Sequence, residues 1–287
     1  MINNFSSKKI QIDLFNLTGK NYTIKYINHS IKVIFEKIIL SKKTKFMISG
    51  PQGCGKTTLL KLISKNFIEF YGIKPLCISL DDYYLTKKQR VKISNKIHPL
   101  LITRGVPGTH DIKKLLKTIE LFDKKKYPIK LIKFDKLKDD RKKKTTIIKP
   151  KKNIIVLEGW CCGCSKINNN YLKKNINKIE KNDKNLLWRK YYNEKLNTEY
   201  KMLFNKFEYL IYYKITNFKY VLDWRLKQEL QLSLKKNITI KFMSKENIKN
   251  FILYYEKITK WMMKKTSPKA SLVIKIDKDQ IIKNIIN

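Results

Sequence analysis

The sequence predicts an α/β protein, built on a doubly wound, mostly parallel sheet flanked by helices, with a helical lid and acceptor region. Three observations support this class. Continuous apolar runs such as residues 154–157 are typical of parallel strands that are buried on both faces. Segments with helical periodicity separate these runs along the chain. A glycine-rich loop follows the first apolar run, at the place where open sheets of this kind bind ligands.

The individual elements follow from the same patterns in chain order. Continuous apolar runs predict strands at 46–48, 76–80, 129–134, 154–157, 208–213 and 271–276, the last of which closes the chain. Helical spacing predicts helices at 31–40, after the glycine-rich loop, and at 112–122, 188–207, 220–234 and 245–265. We expect an N-terminal helical segment over residues 1–44 and a larger domain over 45–287, with lid and acceptor elements at about 85–125 and 185–235.

The stretch FMISGPQGCGKTTLL has the spacing of a phosphate-binding loop, with strand and helix patterns on either side. Its glycines let backbone N–H groups turn inward around an anion at a helix N-terminus. Lys56 is expected to reach the β- and γ-phosphates and assist catalysis, and Thr57 to bind Mg²⁺. The sequence therefore predicts a P-loop NTPase that holds ATP through Gly50, Pro51, Gln52, Gly53, Cys54, Gly55, Lys56, Thr57 and Thr58.

Carboxylates lie at the predicted carboxyl ends of two further strands. We expect Glu158 to hold Mg²⁺ directly or through water, because a carboxylate at the end of a buried strand is costly without a cationic partner. Asp81 and Asp82 end the preceding strand, and neighbouring side chains on a strand point to opposite faces. Asp81 is the expected base for the acceptor hydroxyl. Asp82 either belongs to the metal site or only shapes the following turn.

The chain is strongly basic, with 64 Lys and Arg residues against 23 Asp and Glu residues and a formal charge of +41. Such a charge favours association with nucleic acids and other polyanions. However, Lys, Asn and Ile crowd every segment and the chain has a single alanine, which indicates a chain-wide drift in composition rather than a binding patch. We therefore expect only non-specific polyanion binding, which weakens as salt is added.

Several protein classes are excluded by what the sequence lacks. No stretch offers the roughly 18 apolar residues of a membrane span, and the N-terminus lacks the apolar core of a secretory signal. Cys161, Cys162 and Cys164 have no second pair at zinc-ligand spacing, so free thiols in a reducing compartment are expected. These features indicate a cytoplasmic protein that does not bind membranes.

The motifs GPQGCGKTT, SLDDYYLT, RGVPGTHD, VLEGW and DWRLKQE occur in this order. Together they resemble the D-glycerate 3-kinase-like group of P-loop kinases, which is related to uridine kinase, phosphoribulokinase and bacterial pantothenate kinase. The resemblance covers about residues 45–277. It implies that Asp81 is the catalytic aspartate, that Arg104, His110 and Asp111 face the acceptor, and that Arg225 is a lid arginine that closes over the phosphates.

The arginines give partly independent support for these roles, because a guanidinium binds phosphates and carboxylates in a forked geometry that lysine cannot imitate. Arg104 and Arg225 stand within motifs of a chain that has only five arginines. The sequence leaves open whether Asp140, Arg141 and Arg189 act in the site. Relatives carry glycines before the Asp-Arg pair, whereas FDKLKDDRKKK lacks them.

The expected activity is ATP- and Mg²⁺-dependent transfer of the γ-phosphoryl group to a hydroxyl of a small metabolite, with D-glycerate the best single candidate. A nucleoside or a pantothenate-type alcohol is the alternative acceptor. A nucleotide-binding regulatory or nucleic-acid-associated protein without kinase activity is the alternative of another class, although the guanine signature Asn-Lys-x-Asp of a GTPase does not occur. The sequence specifies neither the acceptor nor the oligomeric state.

Overall fold

The computed structural model describes residues 4–149, 151–234 and 244–287. Residues 1–3 of the expected N-terminal segment, and residues 150 and 235–243 of the expected larger domain, lie outside the described residues. None of the helices within the described ranges combines the length and the apolar character that crossing a membrane requires.

Strands and helices alternate through most of the described chain. The strands are β1 (Lys45–Ser49), β2 (Pro75–Ser79), β3 (Ile129–Leu131), β4 (Phe134–Asp135), β5 (Asp140–Arg141), β6 (Thr146–Ile148), β7 (Ile154–Glu158), β8 (Tyr209–Lys214), β9 (Leu272–Ile276) and β10 (Ile282–Ile286). The helices are α1 (Asn4–Thr18), α2 (Ile24–His29), α3 (Ile31–Leu40), α4 (Lys56–Tyr71), α5 (Lys87–Lys96), α6 (Ile112–Asp123), α7 (Asn169–Lys173), α8 (Lys178–Lys181), α9 (Leu187–Asn197), α10 (Glu199–Phe204), α11 (Lys219–Leu234) and α12 (Lys245–Lys265).

The main sheet of the described residues has the strand order β10-β9-β8-β1-β7-β2. All neighbours in it are parallel except β9 and β10. The register aligns Ile48 with Glu158 and Glu158 with Ser79, so the carboxyl ends of β1, β7 and β2 meet at one edge. The prediction of a doubly wound, mostly parallel sheet is confirmed, and this edge carries the candidate site.

Helices pack on both faces of the sheet, and β1 shows how. Phe46 and Ile48 point into a core that contains side chains of α1, α3 and α4. Met47 points the other way, into a core built with α6, α9, α10 and α12. Because both faces are buried, the strand is apolar at successive positions instead of alternating with polar residues.

Two predicted strands differ from the structure near the site. The strand predicted at 76–80 ends at Ser79, and Leu80–Tyr83 forms a 3₁₀ turn, so the two aspartates lie in a turn. The strand predicted at 129–134 lies outside the main sheet. It divides into β3, which pairs with β6, and β4, which pairs with β5. Lys130 is exposed between buried Ile129 and Leu131, as expected of a ribbon with one solvated face.

Two further differences concern helix length and the C-terminal edge. The helix predicted at 188–207 is interrupted at Thr198, whose hydroxyl donates to the carbonyl oxygen of Glu194 at 2.9 Å and competes with the helical hydrogen bonds. The strand predicted at 271–276 does not close the chain. A turn with Gln280 at φ 66° leads into β10, which covers the outer edge of β9.

Candidate active site

The phosphate loop joins β1 to α4 in a conformation that requires glycine. Gly50, Gly53 and Gly55 have φ angles of 144°, 81° and 102°. A Cβ on Gly50 would lie 2.7 Å from Cβ of Tyr213, and a Cβ on Gly53 would lie 2.7 Å from Cβ of Trp224. The loop backbone is therefore packed closely against side chains of β8 and α11. This packing leaves the N-terminus of α4 as a cradle for an anion.

Polar groups of the loop fit the phosphates of ATP. Lys56 is 8% exposed, and its ammonium donates to the carbonyl oxygen of Pro51 at 2.8 Å. The side-chain amide of Gln52 is buried, and neither its nitrogen nor its oxygen has a hydrogen-bond partner among the described residues. The Lys56 ammonium and the Gln52 amide nitrogen lie beside the N-terminus of α4, and both can donate hydrogen bonds to phosphate oxygens.

Glu158 connects the phosphate loop to β2. Its Oε1 accepts a hydrogen bond from the hydroxyl of Thr57 at 3.3 Å and another from the hydroxyl of Ser79 at 2.6 Å. The side chain is buried, and burial raises the pKa of Glu158 against the opposing effect of the Lys56 charge. Carboxylate and hydroxyl oxygens are ligands that Mg²⁺ prefers, and a divalent cation would offset the cost of burying this carboxylate. These residues therefore fit Mg²⁺.

A metal site formed entirely by protein side chains is not found in the described part of the chain. It contains no cluster of three or more His, Cys, Asp or Glu side chains that could hold an ion. Mg²⁺ in kinases is usually bound by one or two protein groups together with substrate phosphates and water. The single carboxylate of Glu158 beside the phosphate loop is consistent with that mode of binding.

Asp81 lies in the 3₁₀ turn after β2, where a small molecule can reach it. It accepts hydrogen bonds from the hydroxyl of Tyr84 at 2.9 Å and from the ammonium of Lys136 at 2.7 Å. Burial alone would raise the pKa of Asp81, but the charge and hydrogen bond of Lys136 outweigh it and hold this pKa well below its usual range. The carboxylate is therefore ionised at neutral pH, and 30% of the side chain is exposed.

Asp82 has a different set of contacts. It accepts a hydrogen bond from the ammonium of Lys133 at 2.6 Å and one from the backbone N–H of Phe134 at 3.3 Å. These contacts fix the start of β4 against the 3₁₀ turn, which agrees with a residue that shapes the local chain. A metal-binding role for Asp82 stays a prediction.

His110 supports Asp81 through Tyr84. Its ring stacks on the Tyr84 ring with 4.4 Å between centroids, and its Nδ1 lies 2.5 Å from the hydroxyl of Tyr200. Burial lowers the pKa of His110 to about 3, so the imidazole is neutral at physiological pH. Its Nε2 is buried and has no hydrogen-bond partner within the described ranges. Contact of His110 with an acceptor stays a prediction.

Arg104 holds the hairpin formed by β4 and β5. Arg104 and Arg90 both bind the carboxylate of Asp139, and their guanidinium groups lie 5.5 and 5.8 Å from the centroid of the Phe134 ring. Arg104 also donates to the carbonyl oxygen of Lys136 at 3.4 Å. The hairpin is thus anchored by two arginines, and it presents Lys136 to Asp81.

Asp111 and Arg141 lie on the other side of Tyr84. Asp111 caps α6 by accepting from the backbone N–H of Lys114 at 3.1 Å, and it binds the guanidinium of Arg141 at 2.9 Å. Arg141 in turn donates to the carbonyl oxygen of Tyr84 at 2.8 Å. The pair therefore fixes the chain around Tyr84, and direct contact of Asp111 with an acceptor stays a prediction.

Comparison with known proteins identifies the family. The KAP family P-loop domain matches residues 23–285. The chain is 32% identical over 263 residues to the probable ATP-dependent kinase TDA10 of Saccharomyces cerevisiae, with 83% of each chain covered. The chain belongs to this P-loop family and is a relative of ATP-dependent kinases.

Two further relatives of this kinase are named D-glycerate 3-kinases. The chloroplastic enzyme of Arabidopsis thaliana is 28% identical over 223 residues, which are 72% of this chain and 45% of that protein. The structure of D-glycerate 3-kinase from Cryptococcus neoformans matches with a TM-score of 0.70 and 22% identity, over 90% of this chain and 98% of that chain. The second match shows a shared fold, and the predicted P-loop kinase fold is confirmed.

The remaining arginines of the kinase differ in their surroundings. Arg225 lies on α11 and binds Glu229 one turn further along the helix at 2.9 Å, with 22% of its side chain exposed. Its role as a lid arginine stays a prediction. Arg189 is buried in α9, where it donates to the carboxylate of Asp183 at 2.9 Å and to the carbonyl oxygen of Glu180 at 3.0 Å. Arg189 therefore stabilises the packing around α8 and α9.

Sequence reasoning missed several residues of the candidate site. Ser79 and Tyr84 lie within the motif SLDDYYLT, so hydroxyl groups next to the aspartates were a signal that could have found them. Lys136 gave no usable signal, because lysines surround it on both sides in a lysine-rich chain. Its role depends on a contact between positions 55 residues apart.

Proposed function

We propose that this protein is an ATP- and Mg²⁺-dependent kinase that phosphorylates a hydroxyl of a small acidic metabolite, with D-glycerate the best single candidate. The observation that carries the proposal is the alignment of three strand ends. The phosphate loop follows β1, Glu158 ends β7 and Asp81 follows β2. Phosphoryl transfer needs a phosphate cradle, a metal ligand and a group that positions the acceptor, and these lie here in that order.

Bound Mg-ATP would supply the transferable phosphoryl group and the charge of the metal. The backbone N–H groups at the N-terminus of α4 hold the phosphates, and Lys56 neutralises charge that develops during transfer. Thr57 and Glu158, whose side-chain oxygens lie 3.3 Å apart, would hold the metal. The loop keeps these groups fixed before the nucleotide arrives, which lowers the cost of arranging them during the reaction.

Asp81 acts on the acceptor. As an ionised carboxylate it would accept a hydrogen bond from the acceptor hydroxyl and orient the hydroxyl oxygen towards the γ-phosphorus. It would take the proton as that oxygen bonds to phosphorus and the bond from phosphorus to the β–γ bridging oxygen breaks, which releases ADP. Tyr84, stacked on His110, fixes the carboxylate in one orientation. The turn that carries Asp81 is joined to Glu158 through Ser79, so acceptor and nucleotide groups are held at a fixed separation.

Lys136 favours an acidic acceptor. Its side chain is 61% exposed, and its ammonium now lies on Asp81. When a hydroxyl binds Asp81, this ammonium needs a new anionic partner, and a hydroxy acid brings one as its own carboxylate. This favours a sugar acid such as D-glycerate over a neutral nucleoside. The name of the Arabidopsis relative points the same way.

The proposal extends to the setting of the enzyme. All five cysteines are free thiols, which suits a reducing compartment, and we propose the cytoplasm. Polyanion binding is proposed as non-specific, a consequence of the overall charge.

The decisive experiment is a screen for ATP consumption with sugar acids, nucleosides and pantothenate as acceptors. We expect acceptor-dependent formation of ADP, highest with D-glycerate. Lys56→Ala should abolish it while the protein stays folded, because Lys56 meets charge on the transferring phosphates. Lys61→Ala, an exposed lysine on the same helix, is the control. Wild-type turnover in Lys56→Ala, or no acceptor in any class, would overturn the proposal.

A further inference from the structure

A buried tyrosine of α10 connects this helix to the acceptor side of the site. The Tyr200 side chain is fully buried, and its hydroxyl lies 2.5 Å from Nδ1 of His110. The same hydroxyl accepts a hydrogen bond from the backbone N–H of Gly108 at 3.1 Å. Both partners lie in the loop before α6, and the phosphoryl transfer described above uses no residue of α10.

The number of available partners favours one tautomer of His110. A tyrosine hydroxyl donates one hydrogen bond, and Nδ1 of His110 is the acceptor that the structure gives to Tyr200 within the described ranges. If Tyr200 donates to Nδ1, the proton of the neutral imidazole is on Nε2, and of these groups only this N–H lacks a partner. If Nδ1 carried the proton, Nε2 and the tyrosine proton would both lack partners. Because unpaired buried polar groups are costly, the contacts favour the proton on Nε2.

The imidazole is in turn connected to Asp81. Its ring stacks on the Tyr84 ring with 4.4 Å between centroids and 25° between planes, and Tyr84 and His110 form an antiparallel backbone bridge. The Phe134 ring packs edge-on against Tyr84 with 5.2 Å between centroids. The hydroxyl of Tyr84 donates to the carboxylate of Asp81 at 2.9 Å. The position of the imidazole therefore affects the ring that holds the carboxylate.

We infer that Tyr200 is a positioning residue of the kinase, which holds the Asp81 carboxylate in the orientation that receives the acceptor's proton. The inference rests on the proposed function and adds α10 to the elements that serve the acceptor side. Without the Tyr200 hydroxyl, Nδ1 of His110 loses its hydrogen bond, and the imidazole is free to rotate to another partner. The Tyr84 ring then loses its fixed neighbour, and its hydroxyl no longer holds Asp81 in one orientation.

The test is Tyr200→Phe, which removes the hydroxyl and keeps the ring. Asp81 keeps its charge but not its orientation, so kcat with D-glycerate should fall about tenfold, a part of the roughly 10²–10⁴-fold that a general base contributes. The KM for D-glycerate and the Kd for Mg-ATP should not change, because Lys136 and the phosphate loop keep their contacts. Steady-state kinetics and calorimetry measure these constants separately, and thermal melting shows whether the fold is kept.

Tyr192→Phe is the matched control. Tyr192 is a buried tyrosine of the preceding helix α9, and its hydroxyl has no hydrogen-bond partner in the part of the chain that the structure describes. The control therefore removes a buried hydroxyl that holds no other group. We expect its kcat, KM and Kd to match those of the wild type.

A spectroscopic measurement tests the contact without any substrate. The chain has three histidines, so nitrogen NMR of the imidazoles is simple, and the variants His29→Gln and His98→Gln assign the signals that do not belong to His110. In the wild type the proton of His110 should be on Nε2. The Nδ1 signal should shift in Tyr200→Phe, where it loses a hydrogen bond, and should stay in place in Tyr192→Phe.

Three results would overturn the inference while the proposed function stands. One is wild-type kcat in Tyr200→Phe, and another is an equal loss of kcat in Tyr192→Phe. The third is an Nδ1 signal of His110 that does not respond to the loss of the Tyr200 hydroxyl. If the wild-type protein forms no ADP with any acceptor, the proposed function fails and the positioning role fails with it.

Discussion

The ammonium of Lys136 lies 2.7 Å from the carboxylate of Asp81, the group that we propose binds the acceptor hydroxyl. The two residues come from separate segments, the 3₁₀ turn after β2 and the connection between β4 and β5. Tyr84 holds Asp81, and Arg104 holds the backbone of Lys136. An acceptor must separate this ion pair, and an acidic acceptor can compensate both partners when it does so.

Replacement of Lys136 tests this relationship. Lys136→Met should raise KM for D-glycerate by about tenfold or more, since a hydrogen bond to a charged group contributes roughly 1.5–3 kcal/mol. ATP affinity should not change. Steady-state kinetics with each substrate varied separately measure both effects. Lys138→Met, an exposed lysine of the same hairpin, is the control, and an equal effect in that variant would contradict a specific role for Lys136.

The pH dependence of turnover should follow the same ion pair. In the free enzyme Lys136 holds the pKa of Asp81 well below its usual range, so kcat/KM of the wild type should persist into acid solution until Asp81 binds a proton. Without Lys136, burial is left to raise the pKa, and the acid limb of the profile should move to higher pH. The pH profile of kcat/KM for the acceptor, which reports the ionisation of the free enzyme, measures this shift for both proteins. An acid limb in the same position would show that another group titrates.

Asp81→Asn separates a catalytic base from a binding residue. The amide can still accept a hydrogen bond from the hydroxyl but cannot take its proton, so turnover should fall by about 10²–10⁴-fold. Binding of Mg-ATP and the melting temperature should stay near wild type. Asp82→Asn should lose less turnover, because Asp82 contacts Lys133 and the backbone of Phe134. Loss of ATP binding in Asp81→Asn would instead assign Asp81 to the metal site.

Glu158→Gln tests the proposed metal ligand. The variant keeps the size of the side chain but loses its charge, so the Mg²⁺ concentration needed for half-maximal ATP binding should rise. Even residues that only orient metal ligands cost 10–100-fold in affinity, so we expect an increase of about tenfold or more. Titration of Mg²⁺ at fixed ATP measures it. An unchanged Mg²⁺ requirement would remove Glu158 from the metal site.

When no ligand is bound, we expect the same variant to be at least as stable as the wild type. Because burial raises the pKa of Glu158, the folded protein retains this proton at a pH where the unfolded chain has released it. The contribution of protonated Glu158 to stability is complete below the ordinary pKa of a glutamate. It is lost as the pH rises through the raised pKa of Glu158 in the folded protein. At neutral pH without Mg²⁺, Glu158→Gln should therefore melt at the same temperature as wild type or higher. A clear decrease would indicate a structural role for the charge.

Arg189→Met tests a residue whose role the sequence leaves open. Arg189 is 1% exposed and binds Asp183, so its loss leaves a buried carboxylate without its cation. Removal of one partner of a buried pair costs about 3–5 kcal/mol. Urea unfolding should show a loss of that size. Lys190→Met, at the neighbouring exposed position, should change the free energy of unfolding little. Full stability with altered kinetics would make Arg189 a site residue.

Short-range patterns predicted much of the site. The phosphate loop and Glu158 could be predicted because strand, loop and helix are consecutive in the chain, so spacing alone places Gly50, Lys56 and Thr57 together. Parallel strands then bring Glu158 beside the loop, since their carboxyl ends meet at one edge. The end of the second strand predicted Asp81, the family resemblance supported it, and the structure places it in the turn after β2 at that edge.

Contacts between distant residues could not be predicted in the same way. Gln280 binds Gly53 across 227 positions, and Lys136 binds Asp81 across 55, with no pattern at either partner. Strand geometry predicted that Asp81 and Asp82 point to opposite faces and have different roles. The structure instead places both in a 3₁₀ turn, where different lysines bind the two carboxylates.

Cys54 gives the phosphate loop a chemical reporter of its own. The thiol is 2% exposed at the base of the loop, and burial raises its pKa, so alkylating reagents meet neither an accessible sulfur nor a thiolate while the loop is closed. Alkylation of Cys54 therefore requires local opening of the folded protein, and its rate measures how often the loop opens. A nucleotide that holds the loop closed slows this reaction, and mass spectrometry can follow it on the unlabelled wild-type chain.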